Sequence, residues 1–278
     1  MAAGRRVFDA HVHLQPWEHL RPEVRDAMVR GRDDADAIQA FQRDRAAFLA
    51  HLDREGIARA VLVNYVSPRV MGFPPEVNDW IAAYARGEPR LVAMGSVLPG
   101  TVEDAAAEVR RLHALGIRAL KVHPAHQLLY PHDERLAPVY AEAERLGMPV
   151  TIHTGTSVFP GAKNRFADPI HADDVAVDHP RLTLILAHAG RPLWYDTAFF
   201  LARRHANVRL DLSGIPPAKL LEVLPRLGEV ADKCLYGSDW PSPGVKSLRA
   251  HWQAFERLAL PAQAIEGILW QNAAKVFG

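Results

Sequence analysis

Eight short apolar runs, each separated from the next by a longer stretch of mostly helical pattern, constrain this chain more than any other feature. The first is Val7-Phe8-Asp9-Ala10-His11-Val12-His13-Leu14, and the others fall at 60–64, 91–97, 118–123, 149–154, 182–188, 208–212 and 233–236. Runs of this length, bounded by Gly and Pro, suit buried strands. The spacing between them predicts helices over 45–55, 76–86, 101–115, 134–146, 168–179, 195–205 and 219–227, with two more near 247–259 and 261–276. Gly56, Gly116 and Gly147 stand where three of these should stop. Thr101 followed by Asp104 suggests a capping box, and Pro225 should disturb the helix that contains it. Residues 15–44 hold Trp17 and several Arg/Asp pairs but no strand pattern, so a loop with helical pieces is expected.

Strands that alternate regularly with helices must run parallel, joined by crossovers. Eight such units in 278 residues match a (β/α)8 TIM barrel, for which about 250 residues is typical. A doubly wound open sheet is the rival, weakened by the lack of Gly-X-Gly-X-X-Gly after the first strand. No internal repeat, low-complexity tract or linker divides the chain, so one α/β domain over 1–278 is expected.

Composition narrows the partners. With 33 basic and 32 acidic residues the net charge is +1, which gives no footprint for nucleic acid or an anionic membrane. A small-molecule substrate is expected instead. The single cysteine, Cys234, permits no internal disulfide and favours a reducing compartment. The N-terminal stretch Met1-Ala-Ala-Gly-Arg-Arg-Val has no apolar h-region, and no run is long enough to span a bilayer. A cytoplasmic protein is therefore expected; a homodimer is an expectation from the barrel class alone.

The ends of the apolar runs carry the chemistry. Catalytic groups of such barrels sit at the C-terminal ends of the strands. Here those ends hold His11 and His13, Asn64, Lys121 and His123, His153 and Thr154, His188, and Ser238-Asp239-Trp240. Residues two apart on a strand share a face, so His11 and His13 can reach one point from one rigid element. Neutral imidazoles converging there suit a zinc-like ion. Singly, each residue has an ordinary alternative: a core histidine bonded to a carbonyl, or Asp239 capping the next helix. Jointly, on one rim, they point to a shared metal site.

These motifs resemble the amidohydrolase superfamily, in its branch related to aminocarboxymuconate-semialdehyde decarboxylase. The resemblance rests on Asp9-Ala-His11-Val-His13, Lys121-Val-His123-Pro124, Ile152-His153-Thr-Gly155, Ala187-His188-Ala-Gly190 and Tyr236-Gly-Ser-Asp239-Trp-Pro241, and covers nearly the whole chain. It implies His11, His13, His153 and Asp239 as ligands of one divalent metal, usually zinc, with manganese the alternative. It implies His188, beside the metal, as the residue that holds or activates the metal-bound water. Dinuclear members of the superfamily bridge two metals with a carboxylated lysine at strand four, the place of Lys121. The decarboxylase-like branch works with one, leaving Lys121 as a barrel-lining lysine and His123 as a substrate contact.

Two reactions fit this set. In hydrolysis, metal-activated water attacks a polarised carbonyl while Asp239 moves the proton and His188 orients the nucleophile or the oxyanion. In nonoxidative decarboxylation, the metal chelates the carboxylate and Asp239 or His188 manages a proton at carbon. The chain is shorter than the long decarboxylases. The segment after the eighth strand is also short. Both favour a hydrolase of a small carboxylated or cyclic carbonyl compound: a lactone, amide or ester. A decarboxylase of an aromatic or muconate-like acid is the alternative, and a non-enzymatic metal-binding scaffold the third reading. Arg165, Lys163 and Arg191 are candidates to hold a substrate carboxylate. Trp194, Trp240 and Phe166 are candidates to pack its body. The loop with Trp17 is the candidate lid.

Overall fold

The computed structural model describes residues 6–242 and 244–278; the N-terminal residues 1–5, on which most of the leader expectation rests, lie outside them. Eight parallel strands are hydrogen-bonded in sequence order: β1 (Phe8–Val12), β2 (Arg59–Val63), β3 (Leu91–Gly95), β4 (Ala119–Val122), β5 (Val150–His153), β6 (Leu184–Ala187), β7 (Val208–Asp211) and β8 (Cys234–Leu235). The sheet returns on itself just past β8. Ala10 N donates to Tyr236 O (2.9 Å), Asp239 N to His11 O (2.8 Å) and His13 N to Trp240 O (2.7 Å). The chain is thus a single-domain TIM barrel, as the alternation predicts, and its seam falls where β1 meets the turn after β8.

Strand periodicity divides the apolar residues into two layers. Val61 and Val63 of β2 point into the barrel with Phe8, Ala10, Val92, Met94, Ala119, Ile185 and Leu235, and Ala273 and Phe277 of the C-terminal helix pack against this inner cluster. The alternate residues, such as Leu62, Val122, Ile152, Leu186 and Leu210, join the larger layer beneath the helices. On β1 the alternation breaks. Phe8 and Ala10 belong to the inner layer but Val12 to the outer, and the β1–β2 register shifts between Asp9 and Val12. A bulge of this kind re-aims side chains, and this one turns His11 and His13 toward the barrel mouth.

The helices follow the spacing with local revisions. The loop 15–44 contains α1 (Pro22–Val29) and α2 (Ala35–Arg43), and α3 (Arg45–Glu55) ends at Gly56, where φ is +76°. After α4 (Val77–Ala85), α5 starts later than expected, at Ala105–Leu115. Its cap is Asp104, whose carboxylate accepts from Ala107 N (2.9 Å), while Thr101 Oγ1 donates backward to Leu98 O (2.7 Å). A short α6 (Pro124–Gln127) follows β4. The stretch 134–146 divides into a 3-10 turn, capped by Asp133, and α7 (Ala137–Leu146). The stretch 168–179 divides likewise into a 3-10 turn and α8 (Asp173–Asp178). The rest are α9 (Tyr195–Arg204), α10 (Pro217–Val223, stopping ahead of Pro225), α11 (Leu248–Glu256), α12 (Ala262–Glu266) and α13 (Asn272–Phe277). Among the described residues no helix is long and apolar enough to cross a membrane.

Candidate metal centre

The seam delivers three ligand-type side chains to one point. His11 Nε2 lies 3.1 Å from His13 Nε2, and Asp239 Oδ1 lies 3.3 Å from His13 Nε2 and 3.7 Å from His11 Nε2. Asp9 ties the two strand ends together: its Oδ1 accepts from His11 N (3.1 Å) and Ser238 N (2.9 Å). Asp239 and His188 both adopt left-handed backbone conformations, each with φ +63°. Non-glycine residues hold such conformations only where surrounding structure enforces them, commonly at functional sites. For Asp239 the enforcement includes its bond to His11 O and a hydrogen bond from Ser242 Oγ to Oδ2 (2.9 Å).

Outer partners fix which nitrogens carry protons. His188 Nδ1 faces Ser213 O at 3.1 Å; a carbonyl only accepts, so Nδ1 carries the hydrogen and Nε2 keeps a lone pair. His11 Nδ1 pairs with the Asp211 carboxylate, which leaves the lone pair of Nε2 facing His13. Ser213 Oγ lies 3.1 Å from His11 Nδ1 and 3.0 Å from His188 Nδ1, joining the two supports. Carboxylate and carbonyl partners of this sort orient metal-ligating histidines.

The residues fit a divalent cation. The tight cluster is His11, His13 and Asp239, whose ligand atoms all lie within 4.8 Å of one another. His153 stands outside that cluster, its ring 4.8 Å from that of His188, and its buried Nε2 has no hydrogen-bond partner. Burial, with neighbouring cationic or imidazole groups, pushes His153 and His188 well below the ordinary histidine range and also lowers His11. Metal binding needs neutral imidazoles. Burial alone would raise Asp239, but His188, His13 and His11 outweigh it and hold the carboxyl well below the usual range.

A cavity of about 580 Å³ opens over this point, lined by His13, His123, His153, His188, Arg191 and Asp239 among others. Arg191 Nη1 donates to Gly214 O (2.7 Å) and stands 3.9 Å from Asp239 Oδ2. The other sequence candidates lie elsewhere. Arg165 is exposed, its guanidinium over the Phe166 ring, and does not line the cavity. Trp194 is half-buried and Trp240 is buried in an aromatic cluster with Phe48 and His51; neither lines the cavity. Lys121 is buried on the inner face of β4, below the lining, and its Nζ has no hydrogen-bond partner. Burial lowers its pKa to about 8, against the pull of Asp211 and Asp239. Trp17 is buried, and the first loop reaches the cavity through Gln15 and through Ala27 and Met28 of α1 instead.

Several residues of the site escaped the sequence reading. Asp211 is the plainest, since a lone carboxylate closing β7 matches the pattern of the other strand ends. Ser213 follows it by two. Tyr65, His126 and Ser157 also line the cavity, and only the His126 spacing after His123 gave any hint.

Comparison with known proteins agrees with the fold. The amidohydrolase family model matches residues 8–278. An uncharacterised TIM-barrel protein from Bordetella bronchiseptica shares 25% identity, with 98% of each chain covered and a TM-score of 0.79. A probable 2-pyrone-4,6-dicarboxylic acid hydrolase from Acinetobacter baumannii, with citric acid bound, shares 18% identity over 99% of this chain and 100% of that one, TM-score 0.68. A 5-carboxyvanillate decarboxylase from Novosphingobium aromaticivorans, with bound manganese and a nitrobenzoic acid, shares 19% identity over 98% and 96%, TM-score 0.68. No curated protein gives a significant sequence match.

Proposed function

The chain belongs to the amidohydrolase family, and from that premise we propose a hydrolase, dependent on one divalent cation, of a small cyclic or carboxylated carbonyl compound such as a lactone, amide or ester. The observation that carries this reading is the convergence of His11, His13 and Asp239 at the floor of a single cavity, with the unpartnered Nε2 of His153 nearby. His11, His13, His153 and Asp239 would hold the ion, zinc in the first instance and manganese as the alternative. When bound, it supplies Lewis-acid polarisation of a substrate oxygen and lowers the pKa of water. The ionised Asp239 takes the proton of the attacking water and returns it to the leaving group. His188, with Nδ1–H committed to Ser213 O, presents the Nε2 lone pair to accept a hydrogen bond from the nucleophilic water and so orient it. Arg191 is the one permanent cation among the described lining residues, beside apolar walls from Met28, Met71, Phe159 and Pro216. That balance suits a compact, largely apolar substrate with no more than one carboxylate.

Nonoxidative decarboxylation of an aromatic or muconate-like acid uses the same groups. The aromatic lining from Tyr65 and Phe159 favours it as the second reading. Metal analysis with turnover on lactones, esters, amides and hydroxybenzoates separates the two. Hydrolysis is the expected outcome, and CO2 release without hydrolysis would reverse the order. Undiminished activity in both His11→Ala and Asp239→Asn would remove both.

A further inference from the structure

One cluster on the cavity wall takes no part in holding a cation. Tyr65 follows β2, His126 sits on α6 and Ser157 lies in the loop after β5; all three line the cavity. Tyr65 Oη is 3.0 Å from His126 Nδ1, and His126 Nε2 is 2.7 Å from Ser157 Oγ. His126 is fixed by stacking on His123, with ring centroids 3.6 Å apart and planes 10° apart. Both its ring nitrogens are engaged, whereas His13, His123 and His153 each keep a buried nitrogen without a partner.

A count of hydrogens shows what this chain of groups can do. Neutral His126 has one N–H, and Tyr65 and Ser157 have one O–H each, so three hydrogens serve two bonds. In one state Nδ1 donates to the Tyr65 oxygen, Ser157 donates to Nε2, and the Tyr65 O–H is left over. In the other state both bonds reverse and the Ser157 O–H is left over. Phe159 N–H also donates to Ser157 Oγ (3.3 Å), occupying a lone pair there in either state. Both states hold the same three hydrogens, one on the imidazole and one on each oxygen, so neither carries charge. The wall therefore offers a spare donor at one end, an acceptor at the other, and no cation.

We propose that Tyr65, His126 and Ser157 form a relay that binds an uncharged oxygen of the substrate, a hydroxyl or second carbonyl, with Tyr65 and Ser157 as the contacts and His126 as the positioning residue between them. A single spare hydrogen suits a neutral oxygen better than a carboxylate, which Arg191 serves. Resting on the hydrolase reading, this names the substrate class as a cyclic carbonyl compound carrying a hydroxyl or keto group away from the hydrolysed bond.

The test uses dihydrocoumarin and its ring-hydroxylated derivatives as substrates, with the matching 2-tetralones, which have no hydrolysable bond, as ligands for calorimetry, on the metal-loaded protein. The hydroxylated compound should be preferred about tenfold in both assays, the gain of roughly one satisfied hydrogen bond. Tyr65→Phe and Ser157→Ala should bring the preference to about one, through KM rather than kcat. His126→Gln should do the same, and thermal unfolding of each variant checks that it folds. A hydroxyl preference that survives in Tyr65→Phe and Ser157→Ala, or turnover with none in the wild type, overturns the relay and leaves the hydrolase reading standing. Relay-dependent tetralone binding without lactone turnover keeps the relay and removes the hydrolase reading. No binding and no turnover overturns both.

Discussion

At the N-terminal end of the barrel, Phe8, Val61, Val92, Ala119, Ile185 and Leu235 fill the interior with apolar side chains, against Phe277 of the last helix. A few residues further along the same strands, the interior holds Lys121, His123 and His153, with His11, His13, His188 and Asp239 around the mouth. The lower layer is mainly apolar, with Thr151 beside Ile185 and the Arg59 guanidinium over the Phe8 ring as its polar members. The upper one leaves His13 Nδ1, His123 Nδ1, His153 Nε2 and Lys121 Nζ buried without hydrogen-bond partners. Buried polar groups without partners cost stability, so the upper layer persists because the lower layer and the helix shell stabilise the barrel. The contrast separates two roles along one strand: lower inward positions fold the chain, and upper ones do chemistry.

The sharpest break of that contrast is at Asp239. Asp239→Asn removes the proton-transfer group and a charged ligand at once, so turnover should fall by roughly 10²–10⁴-fold, while the thermal midpoint falls only slightly, since the carboxyl held below its usual range adds some stability at neutral pH. Steady-state rates beside a melting curve check this; a large drop in melting temperature would make Asp239 a structural residue. Phe8→Ala is the counterpart from the lower layer. It removes a fully buried ring and should cost about 3–5 kcal/mol of unfolding free energy, read by urea denaturation. Activity per folded molecule should be retained, and its loss would show that the two layers are coupled.

Asp211→Asn gives a smaller effect of a different kind. Asp211 does not line the cavity; it touches the site through His11 Nδ1. Loss of its charge should weaken metal affinity by about 10–100-fold, measured by competition with a chelator. Unchanged affinity would mean that Ser213 alone orients His11.

How far the sequence revealed all this follows the same division. Strand number, order and layer were legible because inner and outer positions alternate in apolar runs, and tertiary context had little to override. The histidines at the strand ends were legible because they interrupt those runs. Their orientation was not: strict alternation would place His11 and His13 with Val7, on the outer face, and the bulge between Asp9 and Val12 reverses this. Loop residues fared worst. Arg165 shares a loop with Ser157 and Phe159, and Trp194 closely follows Arg191; those partners line the cavity, yet Arg165 and Trp194 do not, because irregular backbone carries no period from which to infer direction. Trp240 follows Asp239 directly but enters the aromatic cluster with Phe48; the left-handed backbone at Asp239 breaks the strand alternation from which its direction could have been inferred.

Lys121, at the bottom of the upper layer, gives the subtlest comparison. It is buried, lacks a hydrogen-bond partner and has its pKa lowered by burial from 10.5 to about 8. The folded state therefore prefers the neutral amine. Below pH 8 folding carries a buried ammonium; as pH rises from 8 to 10.5 the unfolded chain binds more protons than the folded one, and stability increases. Lys121→Met, similar in length and apolar, removes that term, so the metal-free variant should be more stable than the wild type at neutral pH by about 1 kcal/mol. The gap should narrow between pH 8 and 10.5. Denaturation midpoints across that range check it. The same variant decides whether Lys121 belongs to the chemistry: a carboxylated lysine bridging two ions would show as a fall in bound metal, whereas a residue of the packed interior leaves the metal content of the loaded protein unchanged.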